Sequence, residues 1–122
     1  MARILIIEDN DQFREMLREM LEQSGYEVVE AFNGEEGIRI YREEPVDLII
    51  TDMLMPVMPG SRVISTLRDD FPDLKIIAIS GGGSLYGSDN YLNFAKELGA
   101  QRILEKPFQR KELLRAVEEI LD

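Results

Sequence analysis

The 122-residue chain contains no cysteine, no histidine and no tryptophan. Without cysteine there is no disulfide framework, no thiol nucleophile and no thiolate zinc site. Without histidine there is no Ser-His or Cys-His machinery, and no imidazole that could itself carry a phosphoryl group. No segment approaches the roughly 18 consecutive apolar residues of a membrane span. The apolar run from Ile4 to Ile7 is cut off by Glu8 and Asp9, which no signal-peptide core tolerates, so a cytoplasmic location is expected. Basic residues are also scarce: 14 Lys and Arg stand against 24 Asp and Glu, a formal net charge of −10. That excess repels nucleic-acid phosphates and anionic lipid heads, so direct nucleic-acid binding and membrane insertion are not expected.

What is present suits one domain spanning residues 1–122. Hydrophobic residues make up 44% and charged residues 31% of the chain, the mix of a folded globular protein. Five short apolar runs read as strands: Ile4 to Ile7, Val28 to Ala31, Leu48 to Thr51, Ile76 to Ile79 and Arg102 to Leu104. Most are continuous and β-branched, as in strands buried on both faces; the second alternates partly, as an edge does. Between and after them lie helical faces. Phe13, Met16, Leu17, Met20 and Leu21 mark the first, and residues 34–43 form the second, weakened by Gly37 and stopped before Pro45. Val63, Ile64, Leu67 and Phe71 mark a third, Tyr91, Leu92, Ala95 and Leu98 a fourth, and Leu113, Leu114, Val117, Ile120 and Leu121 the last. Strict alternation of strand and helix predicts an α/β fold, a single doubly wound (βα)5 domain with a five-stranded parallel sheet.

In such sheets ligands bind beyond the carboxyl ends of the strands. Strand one delivers Glu8 and Asp9 there, strand three Asp52, strand four Ser80 and strand five Lys106. Singly, each has an ordinary explanation as a cap, a turn or a solvated side chain. Three carboxylates, a hydroxyl and an ammonium at successive strand ends are poorly explained by chance. Crowded carboxylates repel unless a proton or a cation intervenes, and oxygen ligands with room for water suit Mg²⁺. A carboxylate beside Mg²⁺ and an ammonium is also a nucleophile toward phosphorus.

These residues carry a resemblance. The stretches Ile-Leu-Ile-Ile-Glu-Asp-Asn at 4–10, Asp-Met-Leu-Met-Pro-Val-Met-Pro-Gly at 52–60, Ile-Ser-Gly at 79–81, Leu-Gly-Ala at 98–100 and Glu-Lys-Pro-Phe at 105–108 resemble the response-regulator receiver domains of two-component signalling. The resemblance implies the strand order 2-1-3-4-5 of flavodoxin-like sheets. It implies that Asp52 accepts a phosphoryl group from a phosphohistidine on a histidine kinase or a histidine phosphotransfer protein. Glu8, Asp9, Asp52 and the backbone carbonyl of Leu54 would hold Mg²⁺. Lys106 would pair with the phosphoryl group, Ser80 would donate its hydroxyl to it, and a cis peptide would precede Pro107. Such a domain is no enzyme toward other substrates; it promotes only its own phosphorylation and dephosphorylation, switching a surface read by an output protein.

Four features depart from the family pattern. Pro59 stands where a small acidic or amide residue is common, and is expected to fit the first turn of the following helix. Ile103 replaces an aromatic that swings inward on activation, and carries no ring to swing. The segment after Ser80 is lengthened and glycine-rich over residues 81–88, which reads as an adaptable loop over the site. Leu54 and Gly82 lie where the family often places polar side chains that steer the hydrolytic water, so slow loss of the phosphoryl group is expected. Met53, Met55 and Met58 flank Asp52 and suggest a soft partner surface, but core filling and loop packing explain most such residues and none is given a role. Three alternatives compete: an unphosphorylated receiver-like adaptor, a flavodoxin-like flavin carrier, and a phosphatase with an Asp nucleophile. The flavin carrier would need phosphate donors where Glu8 and Asp9 stand. The phosphatase would need an acid at position 54, which is Leu.

Overall fold

The structure, a computed structural model, describes residues 1–80 and 97–122. The elements follow in the order β1 (Arg3–Ile7), α1 (Asp11–Gln23), β2 (Glu27–Ala31), α2 (Gly34–Glu43), β3 (Leu48–Asp52), α3 (Gly60–Asp70), β4 (Ile76–Ser80), β5 (Arg102–Glu105) and α4 (Arg110–Leu121). All five strands pair in parallel in the order β2-β1-β3-β4-β5, as expected, with β2 at an edge. The helix expected around Tyr91, Leu92 and Ala95, and the glycine-rich segment 81–88, lie outside the described residues. No helix among the described residues is long and apolar enough to cross a membrane.

The continuous apolar runs divide by parity. Ile4, Ile6, Leu48, Ile50, Ile77, Ile79 and Leu104 face one side of the sheet, packed against Leu17 and Leu21 of α1 and Leu113, Ala116 and Val117 of α4. Leu5, Ile7, Ile49, Ile76 and Ala78 face the other, against Tyr41 of α2 and Val63, Ile64 and Leu67 of α3. Each aliphatic side chain buried in this way contributes about 1.5–3 kcal/mol. Met53 and Met55 are buried with the second group and Met58 packs against it, so the methionines fill the core. Met16, expected on the buried face of α1, is instead 37% exposed, because the stripe that meets the sheet centres on Leu17 and Leu21.

Two glycines are set by close approach. A Cβ on Gly37 would fall 2.4 Å from Cδ1 of Ile7, so the glycine that weakens α2 is what lets it lie on β1. A Cβ on Gly60 would fall 2.2 Å from the backbone oxygen of Asp52, which has no freedom to move aside. Pro59 is the N-cap residue of α3 rather than part of its first turn, and it gives no side-chain cap. The buried N–H of Gly60, left free by the helix, donates instead to the Met53 carbonyl at 3.2 Å.

In the connection from β3 to α3, Val57 sits at φ 70 with 97% of its surface exposed. The left-handed region costs an L-residue about 1–2 kcal/mol, and no burial of Val57 offsets it. Val57→Asn, whose side chain tolerates this region, is expected to raise stability by about 1 kcal/mol. The check is a higher denaturant midpoint at unchanged slope; an unmoved or lower midpoint counts against strain at this residue.

Candidate functional site

The β1–β3 ladder pairs Ile7 with Thr51, so the next residues, Glu8 and Asp52, lie side by side at the carboxyl edge of the sheet. They share the parity of Ile6 and Ile50 and therefore emerge toward α1 and α4. Both are buried, Glu8 at 2% and Asp52 at 5% exposure, while Asp9 is exposed. One carboxylate oxygen from each of Glu8, Asp9 and Asp52 falls within a group no wider than 4.8 Å. That spacing and that donor set fit a hard divalent cation with oxygen ligands.

Lys106 enters from β5 across the sheet, and the peptide between Lys106 and Pro107 is cis. Its backbone N–H donates to the Ser80 carbonyl at 2.8 Å, which continues the β4–β5 pairing of Ser80 with Glu105. The ammonium donates to Glu8 Oε1 at 3.1 Å and to Asp52 Oδ2 at 3.2 Å. The other carboxylate oxygens take backbone donors: Glu8 Oε2 accepts from Asn10 N at 3.2 Å, and Asp52 Oδ1 from Leu54 N at 2.9 Å. Ser80 is 1% exposed, and its Oγ has no hydrogen-bond partner among the described residues. A buried hydroxyl at this strand end is a donor that an incoming acceptor oxygen can take up.

Burial, and next the charge of Asp52, push the Glu8 carboxyl up to about 7 from an ordinary value near 4.5. Burial alone would lower the Lys106 ammonium, but the charges of Asp52 and Glu8 and hydrogen bonds to both hold it above its usual value. Lys106 therefore stays a cation. Among the described residues one ammonium stands against three carboxylates, which leaves their mutual repulsion only partly balanced.

An edge that gathers a strand-end aspartate, an acidic pair and a lysine on this sheet matches one family across nearly its whole length. Residues 4–118 match the family model of the response regulator receiver domain. The chain belongs to that family. The response regulator receiver protein CpdR of Brucella abortus is 34% identical over 122 residues, which cover 99% of this chain and 98% of CpdR. The sensor kinase CckA of Brucella abortus is 36% identical over 126 residues, which cover 99% of this chain but 13% of the kinase. The chain also spans less than half the length of several longer regulators. Among solved structures, the response regulator TrrA of Thermotoga maritima superposes with a TM-score of 0.85 at 35% identity, covering 99% of this chain and all of that one.

Glu8, Asp9, Asp52, Ser80 and Lys106 are thus brought to one edge of this receiver domain, as expected from the sequence. The turn after β1 presents carboxylates, and nothing in the site favours a flavin phosphate there. Ile103 is half-buried against the α2–α3 side of the core. Two neighbours escaped the sequence reading. Arg14 donates from Nη1 to the Glu8 carbonyl at 2.8 Å and from Nη2 to Asp11 at 2.7 Å, fastening the turn that carries the acidic pair. Phe13 was read as a core position of α1, but its ring lies under the Lys106 ammonium, 4.0 Å from Nζ to centroid. Nothing in the spacing of either residue distinguishes it from an ordinary helix-face residue.

The raised Glu8 carboxyl makes the metal-free fold depend on pH. A carboxyl whose pKa rises on folding stabilises the folded state in its protonated form. That contribution is complete below about 4.5 and lost as pH rises through about 7. In EDTA, the wild type is expected to lose on the order of 2 kcal/mol relative to Glu8→Gln across this window. Parallel stability profiles for the two proteins would rule out this role for Glu8.

Proposed function

We propose that Asp52 is the phosphoacceptor of this receiver domain, which occupies residues 1–122 and works as a phosphoryl-accepting switch in a two-component relay. The observation that carries the reading is the Lys106 ammonium shared between Asp52 and Glu8, with the buried Ser80 hydroxyl, unpaired among the described residues, at the neighbouring strand end. In the transfer, an Asp52 carboxylate oxygen forms a bond to phosphorus as the bond from phosphorus to the donor's imidazole nitrogen breaks. The nitrogen keeps the electron pair, and solvent supplies its proton. Lys106 is placed to meet the charge on the transferring oxygens, and Ser80 to donate to one of them once transfer is complete.

Glu8, Asp9 and Asp52, with the Leu54 carbonyl, are the residues that would hold Mg²⁺. When bound, the ion supplies positive charge against the carboxylates and the phosphoryl oxygens. TrrA was solved in complex with Mg(2+)-BeF, which supports this assignment. The similarity to a sensor kinase and to response regulators supports a kinase-type donor carrying phosphohistidine. No substrate other than the domain's own aspartate is required. Incubation with phosphoramidate and Mg²⁺ should add one phosphoryl group, seen as a mass increase reversed by hydroxylamine. A wild type that takes no label would favour an unphosphorylated adaptor instead.

The phosphorylated form should lose its phosphoryl group slowly. Hydrolysis needs a water in line with the phosphorus–Asp52 bond. Leu54, two residues beyond Asp52 and 40% exposed, offers that water no donor or acceptor; Gly82, the other position concerned, lies outside the described residues. Leu54→Asn should speed first-order decay in excess Mg²⁺ by roughly tenfold. A wild-type lifetime of seconds, unchanged in the variant, would end this account.

A further inference from the structure

Lys106 must keep its ammonium at the carboxylates while its stem remains a flexible chain, with a quarter of the side chain exposed. Two of its three N–H groups are directed to Glu8 and Asp52. The Phe13 ring covers a further side of the ammonium, with Nζ 4.0 Å from the ring centroid, well within the range of a cation–π contact. The ring is itself held. Phe108 meets it edge-on, with centroids 5.9 Å apart and planes at 81°, and the Phe13 backbone N–H donates to Asn10 Oδ1 at 2.9 Å, the N-cap bond of α1. The stack Phe108–Phe13–Lys106 thus joins the first turn of α1 to the segment after β5. An aliphatic side chain of similar size would fill the space but offer the cation nothing.

We infer that Phe13 is a positioning residue, whose ring holds the Lys106 ammonium in place to receive the phosphoryl oxygens. The inference rests on the reading of Asp52 as phosphoacceptor. It separates two roles that a core position in α1 would otherwise merge. Packing needs only volume at residue 13, whereas holding an ammonium needs a π-face. The consequence is a dependence on the ring that exists only while Lys106 is present.

A double-mutant cycle tests it, with the rate of phosphoramidate labelling at saturating Mg²⁺ as one readout and the chemical shifts of the Lys106 side chain as the other. Phe13→Leu is expected to label about five- to tenfold more slowly than wild type, and Phe13→Tyr, which keeps the ring, at close to the wild-type rate. In a Lys106→Met background, Phe13→Leu should change nothing further. The Lys106 methylene protons next to the ammonium should lie upfield of those of the other lysines in wild type and Phe13→Tyr, and return to the ordinary position in Phe13→Leu. The inference is overturned by a Phe13→Leu rate equal to wild type, by equal slowing in Phe13→Tyr, by the same slowing with and without Lys106, or by unshifted Lys106 protons in the wild type. The last measurement needs no variant to fold. A wild type that takes no label, with the Lys106 protons still shifted, would instead bring down the phosphoacceptor reading, and this inference with it.

Discussion

Asp52→Asn is expected to take no phosphoryl label at that position under conditions that label the wild type. The amide is no nucleophile toward phosphorus, so the expected result is loss of the signal rather than a slower reaction. The substitution is also mild for the fold. Asn keeps an oxygen to accept the Leu54 N–H, now at 2.9 Å, and Lys106 keeps Glu8 at 3.1 Å. Removing one of the crowded carboxylates should make the metal-free variant at least as stable as the wild type, so a lost label could not be blamed on unfolding. Intact-mass measurement with phosphoramidate and Mg²⁺, beside melting curves in EDTA, makes the comparison. Equal Mg²⁺-dependent labelling of the two proteins would move the acceptor to another residue.

Mg²⁺ should stabilise the wild type by about 2.7 kcal/mol at a hundredfold excess over its dissociation constant, because it binds the folded chain alone. For a domain of this size that is a rise in melting temperature of roughly 10 °C. The physical source is the set of three carboxylates with oxygens within 4.8 Å, which among the described residues have the Lys106 ammonium as their counter-charge. Asp9→Asn removes the exposed member of that set, so it should lose most of the shift while its melting temperature in EDTA stays close to that of the wild type. Sodium at matched ionic strength is the control. A wild type that responds no more to Mg²⁺ than to that control would count against a metal site. Acid should weaken the effect, since below about pH 7 the metal competes with the proton on Glu8.

Much of this domain was legible in the sequence because its signals are local. Four residues in a row such as Ile4-Leu5-Ile6-Ile7 or Leu48-Ile49-Ile50-Thr51 bury both faces of a strand, and only a sheet covered by helices on both sides accommodates several of them. The residues that end those runs, Glu8, Asp9, Asp52, Ser80 and Lys106, are placed by the strands before them, so their meeting at one edge followed from the alternation.

Contacts between elements were not legible in this way. Nothing near residue 13 tells that its ring lies under an ammonium 93 positions later; that depends on the parity of β1 and β5 and on where α1 crosses the sheet. Gly37 reads as a weak point in a helix until Ile7 is found 2.4 Å from where its Cβ would stand. Met16 fits the helical period of α1 as well as Leu17 does, yet Leu17 and Leu21 pack against the sheet and Met16 is left exposed. The left-handed backbone at Val57 goes against the preference of its own side chain and is imposed by the path from Asp52 to Gly60. Strand and helix identity, and the chemistry at the strand ends, depend on neighbours along the chain, and the sequence alone determined them. Helix placement and the surroundings of each charge depend on residues distant in sequence, and only packing in three dimensions decided those.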